Sequence, residues 1–316
     1  MRVAIVCSAH GFGHVARQMA LVEVLRAQGD EVEVFAAAAL GPAVRHWVVD
    51  VGIAQRDSRT EDVAATLPLL EERCGDTAID ALAACLAGFE RVVVDVAPAG
   101  LEAARRAGVP AFAVGNFDWA WIYGHYPPLH AWAERFVAWQ APHPGLVLWP
   151  GPGLAGFAHV EPVGLLAREA APVRVAERAV LVCFGGFGLD GLDALLPRVP
   201  GITWVLAPPV ARLDRPDCLY VEDVPFPSLV AGADVVFTKP GYGIFAECAA
   251  AGVPIAWLSR GAFPEAPFLE AAMAARGDYE VRDGLGAAAR IGGPLPPPVR
   301  PDAAHRIAAR LVLGPT

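Results

Sequence analysis

Short apolar runs alternate with segments of helical period in the first half of the chain. Four of these runs are bounded by turn residues: Arg2–Cys7, Glu31–Ala36, Arg91–Val96 and Pro110–Gly115. Continuous apolar runs of this length are typical of parallel strands covered on both faces. The intervening segments "VARQMALVEVLRAQG" and "AGLEAARRAGV" have helical period and run into a glycine. The pattern predicts a doubly wound α/β domain.

The same alternation restarts after a proline-punctuated connector near residues 160–178. Strands are predicted on "AVLVCFGG", "ITWVLA", "CLYVED", "DVVFT" and "VPIAWLS", and helices on "LDGLDALLPRV", "FPSLVAGA" and "YGIFAECAAAG". We therefore expect two Rossmann-like α/β domains facing a cleft, over residues 1–160 and 161–316. A last helix is predicted on "DAAHRIAARLVL", with Asp302 as its N-cap, where it could pack back on the first domain.

The segment between Asn116 and Gly156 interrupts the alternation and is rich in tryptophan and proline. Aromatic side chains bury much area in a core and also line binding sites. The sequence leaves both alternatives open, a packed excursion or one wall of a cleft.

Charge and cysteine content exclude several classes of protein. The chain has 316 residues and a formal net charge of −9, which argues against a nucleic-acid or membrane-surface binder. Its six cysteines form no Cys-x-x-Cys pair, so neither a zinc ribbon nor a disulfide framework is indicated. No run approaches the ~20 apolar residues of a membrane span, and the first run is too short for a signal peptide. We expect a cytoplasmic protein without a transmembrane segment.

The first strand is followed by the glycine turn "HGFGH". A dinucleotide site would need Gly-x-Gly-x-x-Gly and an acidic residue ending the second strand. Gly11 and Gly13 have the spacing of the first two glycines, but His14 follows them and the second strand runs into alanines. The pattern argues against a nicotinamide dehydrogenase.

A second glycine turn, "CFGGFG", follows the first strand of the second domain. Gly185 and Gly186 would let backbone N–H groups approach a phosphate at a helix start. A tight turn without a ligand is an equal alternative.

The motif "TKPGYGIFAEC" is the strongest candidate for a nucleotide site. Lys239, the single lysine of the chain, precedes a turn in which Gly241, Tyr242 and Gly243 start a helix. The start of a helix offers unpaired N–H groups and the positive end of its dipole. Glu247, further along this helix, could reach a ribose diol. The alternative is an ordinary cap followed by an exposed glutamate.

This motif and its surroundings, "DVVFTKPGYGIFAECAAAGVPIAWLSR", resemble the nucleotide-sugar signature of GT-B glycosyltransferases of the peptidoglycan N-acetylglucosaminyl transferase type. The resemblance implies that Gly241 and Gly243 receive the diphosphate and that Glu247 holds the ribose hydroxyls. The preceding "YVEDVPFPSLVAGAD" is similar to the segment whose backbone reads the base. Val221 and Val224 are therefore base-site candidates.

Three further stretches resemble the glycosyltransferase-like N-terminal region of plant L-arabinokinases and its stand-alone bacterial relatives. These are "AHGFGHVARQ", "VVVDVAPAGLEAARRAGVPAFAVGNFDWAWIY" and "RGAFPEAPFLEAAM". The resemblance spans most of the chain. The kinase activity of those proteins is not predicted.

Glycosyl transfer needs a group that takes the proton of the acceptor hydroxyl, and histidine suits this role near neutral pH. The turn "GFGHVARQ" resembles the Gly-Gly-His turn of the same glycosyltransferases, which implies an acceptor-side catalytic position for His14. His10 is a second candidate, as base or as orienting partner. Asp118 could orient a histidine or bind the acceptor, and a turn or helix cap is its alternative. Asp95, at the end of a strand, is a weaker candidate.

The leaving diphosphate must be stabilised as its charge develops. The chain contains no Asp-x-Asp motif, so no carboxylate-bound metal of that kind is indicated. The backbone of the two glycine turns and Lys239 are the expected donors. Arg260 and Glu265 in "LSRGAFPEAPF" are candidate sugar-binding residues.

The leading hypothesis is a metal-independent glycosyltransferase of hexosyl or N-acetylhexosaminyl type. It would use a nucleotide diphosphate sugar, expected to be a UDP-sugar, as co-substrate, with no other cofactor and an unidentified acceptor. Two alternatives stay open: a non-catalytic nucleotide-sugar-binding module, and a sugar-nucleotide epimerase or hydrolase on the same fold. Donor consumption only with an acceptor favours transfer, donor turnover alone favours the epimerase or hydrolase, and binding without turnover favours the module.

Overall fold

The computed structural model describes residues 1–38, 40–57, 60–185, 189, 191–259 and 261–313. With these gaps, the chain divides into two compact units. Unit 1 consists of Met1–Arg56, Glu61–Leu166 and Asp302–Thr316, and unit 2 of Asp57–Thr60 and Ala167–Pro301. None of the helices in the described ranges is long and apolar enough to cross a membrane.

The strands follow the apolar runs of the sequence closely. In chain order they are β1 (Arg2–Cys7), β2 (Glu31–Ala36), β3 (Val44–His46), β4 (Gln55–Asp57), β5 (Thr60–Glu61), β6 (Arg91–Asp95), β7 (Ala111–Gly115), β8 (Pro144–Leu148), β9 (His159–Gly164), β10 (Ala179–Cys183), β11 (Thr203–Leu206), β12 (Cys218–Tyr220), β13 (Val235–Thr238), β14 (Ile255–Trp257) and β15 (Tyr279–Glu280). The bounds of β1 and β2 are those predicted. β6 ends one residue earlier than predicted, because Val96 leaves the extended region with φ 46°.

The helices connect most of these strands. They are α1 (Phe12–Ala27), α2 (Val63–Cys74), α3 (Asp76–Leu86), α4 (Pro98–Ala107), α5 (Trp119–Tyr123), α6 (His130–Gln140), α7 (Leu192–Leu195), α8 (Phe226–Gly232), α9 (Tyr242–Ala251), α10 (Ala266–Arg276), α11 (Gly284–Ala288) and α12 (Ala303–Leu313), with a 3₁₀ turn at Pro127–Leu129. The helix predicted on "LDGLDALLPRV" is limited to α7 among the described residues.

Unit 1 is built on a parallel sheet of seven strands, counted over the described residues, in the order β3-β2-β1-β6-β7-β8-β9. Its central strands β1 and β6 are buried almost throughout, and their apolar side chains form the core. The order reverses between β1 and β6, since the chain first adds strands on one side of β1 and then on the other. In open α/β sheets such a reversal leaves a crevice at the carboxyl ends of the two strands.

Unit 2 repeats this plan over its described residues, with six parallel strands in the order β12-β11-β10-β13-β14-β15. Here the order reverses between β10 and β13. Gly185, which follows β10, and the "KPGYG" turn after β13 are therefore neighbours at the carboxyl edge of the sheet. Both units have the doubly wound α/β architecture that the sequence predicts.

The division between the units differs from the predicted boundary at residue 160. Unit 1 continues to Leu166, because β9 (His159–Gly164) pairs with β8 and completes the first sheet. Helix α12 also belongs to unit 1, where Ile307, Ala308 and Leu311 join the same apolar core as β1. The segment that the sequence suggests as a connector thus contributes its first residues to the first sheet.

The aromatic segment is mainly core. Trp119, Tyr123, Trp132 and Phe136 are buried in unit 1, and their rings pack on one another at tilted and edge-to-face angles. Trp149 is 44% exposed. Of the two alternatives, the packed excursion describes most of these side chains.

Candidate functional site

His14 lies on the first turn of α1, at the reversal point of the unit 1 sheet. Gly11 precedes the helix with φ 77°, a left-handed conformation that favours glycine, and lets the chain turn sharply out of β1. The His14 side chain is buried, and its Nδ1 lies 2.9 Å from Oδ1 of Asp95, the last residue of β6. The parallel pairing of β1 with β6 brings together these two residues, which are far apart in sequence.

Asp95 is held as a fully buried anion. Arg17 Nε and Gln18 Nε2 each donate to its Oδ2 at 2.7 Å, and Arg17 Nη2 donates to Oδ1. Burial by itself disfavours the charged carboxylate, but the charge of Arg17 and the hydrogen bonds from Arg17 and His14 outweigh it. The pKa of Asp95 consequently lies well below its usual range.

The ionised Asp95 sets the tautomer of His14. A carboxylate only accepts hydrogen bonds, so the Nδ1–H of the neutral imidazole must donate to it. The Arg17 nitrogen 3.3 Å from the same Nδ1 has its own acceptor in Asp95. This arrangement leaves the lone pair on His14 Nε2, the atom that can take a proton.

The backbone beside Asp95 is strained. Val96 has φ 46°, which is costly for a β-branched residue because Cβ crowds the backbone. Gly115 on the neighbouring strand makes room for it, since a Cβ there would stand 2.2 Å from Cγ1 of Val96. Strained residues of this kind cluster at functional sites.

His10 is placed in the same turn as His14 but is held by packing. Its ring lies edge-to-face on Trp119 with centroids 4.9 Å apart. Gly52 closes against it, because a Cβ at that position would be 2.5 Å from Cβ of His10. The Tyr123 hydroxyl donates to the Gly52 carbonyl and fixes this contact. The role of His10, as base or orienting partner, stays a prediction.

Asp118 is a helix cap, the alternative that the sequence left open. Its Oδ1 accepts the Trp121 N–H at 2.8 Å at the start of α5. Its Oδ2 accepts the N–H groups of Ala155 and Gly156 at 2.6 and 3.3 Å. Both oxygens are thus engaged by backbone donors, and the acceptor-side role of Asp118 stays a prediction.

Asp50 is a buried carboxyl in this region that the sequence reasoning missed. Its Oδ1 accepts from Ser8 Oγ at 3.0 Å and from the Ala9 N–H at 2.8 Å, at the start of the histidine turn. Its Oδ2 is buried and has no hydrogen-bond partner among the described residues. Burial raises the pKa of Asp50 from its ordinary 3.8 to about 6. The sequence feature that could have identified Asp50 is the run "WVVDVG", in which an aspartate follows a short apolar stretch, as in "RVVVDV".

The shifted pKa of Asp50 predicts a pH-dependent stability. Below about pH 4 the Asp50 carboxyl is protonated in both the folded and the unfolded protein. Above that pH it ionises first in the unfolded chain, so the free energy of unfolding falls as the pH rises to about 6. A shift of about 2 units corresponds to about 3 kcal/mol. Asp50→Asn keeps the Oδ1 acceptor and cannot ionise. Its unfolding free energy relative to wild type should rise by about 3 kcal/mol between pH 4 and pH 8.

Urea unfolding at the two pH values measures this difference. Asp214→Asn, at an exposed position, is the control. If the difference in unfolding free energy between Asp50→Asn and the wild type stays constant with pH, then the pKa of Asp50 in the folded wild type is the ordinary one.

The candidate phosphate site lies at the reversal point of the unit 2 sheet. Thr238, the last residue of β13, donates its hydroxyl hydrogen to the Cys183 carbonyl at the end of β10 and ties the two strand ends together. Gly185 follows with φ 73°, and a Cβ there would stand 4.0 Å from Cε of Lys239. The structure thus brings Gly185 and Lys239 together immediately before Gly241, the N-cap residue of α9. Gly186 lies outside the described residues.

Glu247 is buried in α9 and paired with an arginine, which excludes the exposed alternative. Nε and Nη2 of Arg168 lie 2.7 and 2.5 Å from its Oε1. Burial raises the pKa of Glu247 and Arg168 opposes that rise. Tyr242 is also buried, and Gly243 is the second residue of the helix. Sequence reasoning missed Arg168 because the connector gave no sign of where it would fold.

The base-site and sugar-site candidates are only partly described. Val221 and Val224 are half-buried in the loop after β12, and the Val221 N–H donates to the Leu206 carbonyl at 2.8 Å, so that N–H is not a donor for a base. Glu265 is buried at the start of α10. Arg260 lies outside the described residues. In the described part of the chain, no group of three or more His, Cys, Asp or Glu residues is placed to hold a metal ion.

Comparison with known proteins supports the resemblances that the motifs carry. No protein-family model matches the chain. The chain is 29% identical over 297 residues to the L-arabinokinase of Arabidopsis thaliana, with 82% of this chain and 28% of the plant protein covered. The chain therefore spans less than a third of that relative's length.

Solved structures that resemble this chain include two bacterial glycosyltransferases. SnogD of Streptomyces nogalater has a TM-score of 0.60 at 18% identity, covering 100% of this chain and 96% of its own. SsfS6 of Streptomyces sp. SF2575, complexed with thymidine diphosphate, has a TM-score of 0.59 at 23% identity, covering 100% and 97%. The predicted likeness to GT-B glycosyltransferases is confirmed, and this chain has the GT-B fold.

Proposed function

We propose that the chain is a glycosyltransferase that moves a sugar from a nucleotide diphosphate donor to an acceptor hydroxyl. The observation that carries the proposal is the His14–Asp95 pair at the reversal point of the unit 1 sheet, with Nε2 of His14 left to act as a base. The crystal structure of SsfS6 with thymidine diphosphate, which shares the fold, supports a nucleotide donor. We expect the nucleotide to be UDP and the sugar to be a hexosyl or N-acetylhexosaminyl group.

In this proposal His14 is the general base. Its Nε2 removes the proton of the acceptor hydroxyl as that oxygen bonds to the anomeric carbon and the bond to the diphosphate breaks. Asp95 stabilises the imidazolium that forms and holds the ring in place. The proton ends on His14 and the electron pair of the broken bond leaves with the nucleotide diphosphate. His10 would support the histidine turn, and Asp118 stays a candidate to orient a histidine or bind the acceptor.

The donor would be held by the turns of unit 2. The N–H groups at the start of α9 and the positive end of its dipole suit a diphosphate, and Lys239 adds a positive charge beside Gly185. We assign neutralisation of the leaving group to these elements, with no metal or other cofactor. Glu247 would accept hydrogen bonds from the ribose. Arg260 and Glu265 stay proposed sugar-binding residues.

A binding and turnover panel tests the proposal. UDP, TDP, GDP and ADP are added to the protein and its melting temperature is followed, since a ligand of the folded state raises apparent stability. UDP-sugars are then incubated with and without a mixture of candidate hydroxyl acceptors. We expect stabilisation by UDP and donor consumption that depends on the acceptor. Nucleotide binding without any turnover would support a binding module instead, and turnover without acceptor an epimerase or hydrolase.

A further inference from the structure

Glu247 does not stand alone in the proposed donor site. Arg168 belongs to the segment that opens unit 2 and follows β9 by only a few residues, yet its guanidinium reaches the middle of α9. Its Nε donates to one carboxylate oxygen, Oε1, at 2.7 Å, and its Nη2 lies 2.5 Å from the same oxygen. The Arg168 side chain is 19% exposed and that of Glu247 is 7% exposed. This is a charge pair largely removed from water.

Arg168 is a cation that counters the charge of the Glu247 carboxylate. Glu247 also acts on two thiols, those of Cys183, at the end of β10, and Cys248, its neighbour on α9. Burial raises the pKa of both thiols, so they are neutral near pH 7. Lys239 acts on the Cys183 thiol from the other side. A buried carboxylate without a cation would take up a proton, and Arg168 supplies that cation.

The use of a single oxygen matters for binding. Both Arg168 nitrogens, Nε and Nη2, lie against Oε1, so this arginine leaves Oε2 to other partners. A carboxylate oxygen accepts two hydrogen bonds, so Oε2 alone can accept from a vicinal diol. A protonated or rotated carboxyl would lose this arrangement.

We propose that Arg168 is a positioning residue of the donor site, which keeps Glu247 ionised and turns its Oε2 toward the ribose diol. The inference rests on the proposed function, because it assumes that a nucleotide diphosphate binds at α9. It adds that the affinity for ribose is set by a residue outside the motif that carries the family resemblance. Arg168 itself need not touch the nucleotide.

The test compares Arg168→Gln, Arg168→Lys and Arg174→Gln. Arg174 is the matched control, because it lies in the same segment, pairs with Asp234 at 3.0 Å and is exposed. Affinities for UDP and for 2′-deoxy-UDP are measured by calorimetry at several pH values between 5 and 9. Thermal melts confirm that each variant is folded at the temperature used.

For Arg168→Gln we expect UDP binding about 10-fold weaker at pH 7 and a smaller penalty for 2′-deoxy-UDP. The pH at which UDP affinity falls should also move upward. Burial raises the pKa of Glu247 and Arg168 opposes this, so removing the arginine raises the pKa further and protonates the carboxyl at higher pH. Arg168→Lys keeps a cation but loses the contact of two guanidinium nitrogens with Oε1. The pH profile of this variant should therefore be close to that of the wild type, whereas its UDP affinity should be lower.

Unchanged affinity, 2′-deoxy penalty and pH profile in Arg168→Gln would overturn the inference while leaving the proposed function in place. If that variant does not fold, Arg168→Lys decides, and wild-type values for all three quantities in it would have the same meaning. A wild-type protein that binds none of the nucleotide diphosphates would overturn the proposed function, and the inference with it. Equal losses in Arg174→Gln would also overturn it, since the effect would then be general to the segment.

Discussion

Replacing His14 with alanine is expected to lower turnover roughly 10²- to 10⁴-fold while leaving nucleotide affinity nearly intact. The variant loses the only atom to which the proposal assigns the acceptor proton. Asp95 keeps its hydrogen bonds from Arg17 and Gln18, so the buried carboxylate stays paired and the fold should survive. The measurement is donor turnover at saturating donor and acceptor, together with the UDP dissociation constant of each variant.

The control for this experiment is His305→Ala, which removes an exposed histidine from α12 of the same unit. It should turn over like the wild type. Wild-type turnover in His14→Ala would remove this residue from the mechanism. A parallel loss of turnover and of nucleotide affinity would indicate instead a general structural defect.

Replacing Glu247 with alanine is expected to weaken nucleotide diphosphate binding by roughly 10- to 100-fold. A hydrogen bond to a charged group contributes about 1.5–3 kcal/mol, and each 1.4 kcal/mol corresponds to a factor of ten in affinity. The wild type should bind the 2′-deoxy nucleotide more weakly than UDP, and the variant should show much less difference, because the partner of that hydroxyl is already gone. Calorimetry with the two nucleotides gives all four constants.

Removal of Glu247 also leaves Arg168 without its ion-pair partner, and an unpaired buried charge is destabilising. Glu247→Gln therefore accompanies the alanine variant, since it keeps the shape and an acceptor oxygen but not the charge. Glu169→Ala, at an exposed carboxylate next to Arg168 in sequence, is the control and should bind UDP like the wild type. Equal 2′-deoxy penalties in wild type and Glu247→Ala would be evidence that the carboxylate does not touch the ribose.

The local pattern of apolar and turn residues was sufficient to predict the central strands and the turns that follow them. β1 and β2 coincide with apolar runs that have no internal turn residue, and the glycine turns after β1 and β13 lead into helices as expected. Two outer strands of unit 1, β8 and β9, were not predicted, because β8 begins with proline and β9 contains one. Helix α2 carries Pro68 in its interior, which contradicts the usual helical signal.

The sequence alone determined that the chain forms two parallel α/β units and that histidines and glycines lie in the turns after particular strands. Strand order along the sheet then decided the chemistry of those turns. His14 contacts Asp95, 81 residues away, because β6 pairs with β1 in the sheet. Glu247 meets Arg168, 79 residues away, because the opening segment of unit 2 packs on α9. Hydrophobic periodicity specifies which face of an element is buried but not which element lies beside it, so the partners of buried charges appear only in the tertiary structure.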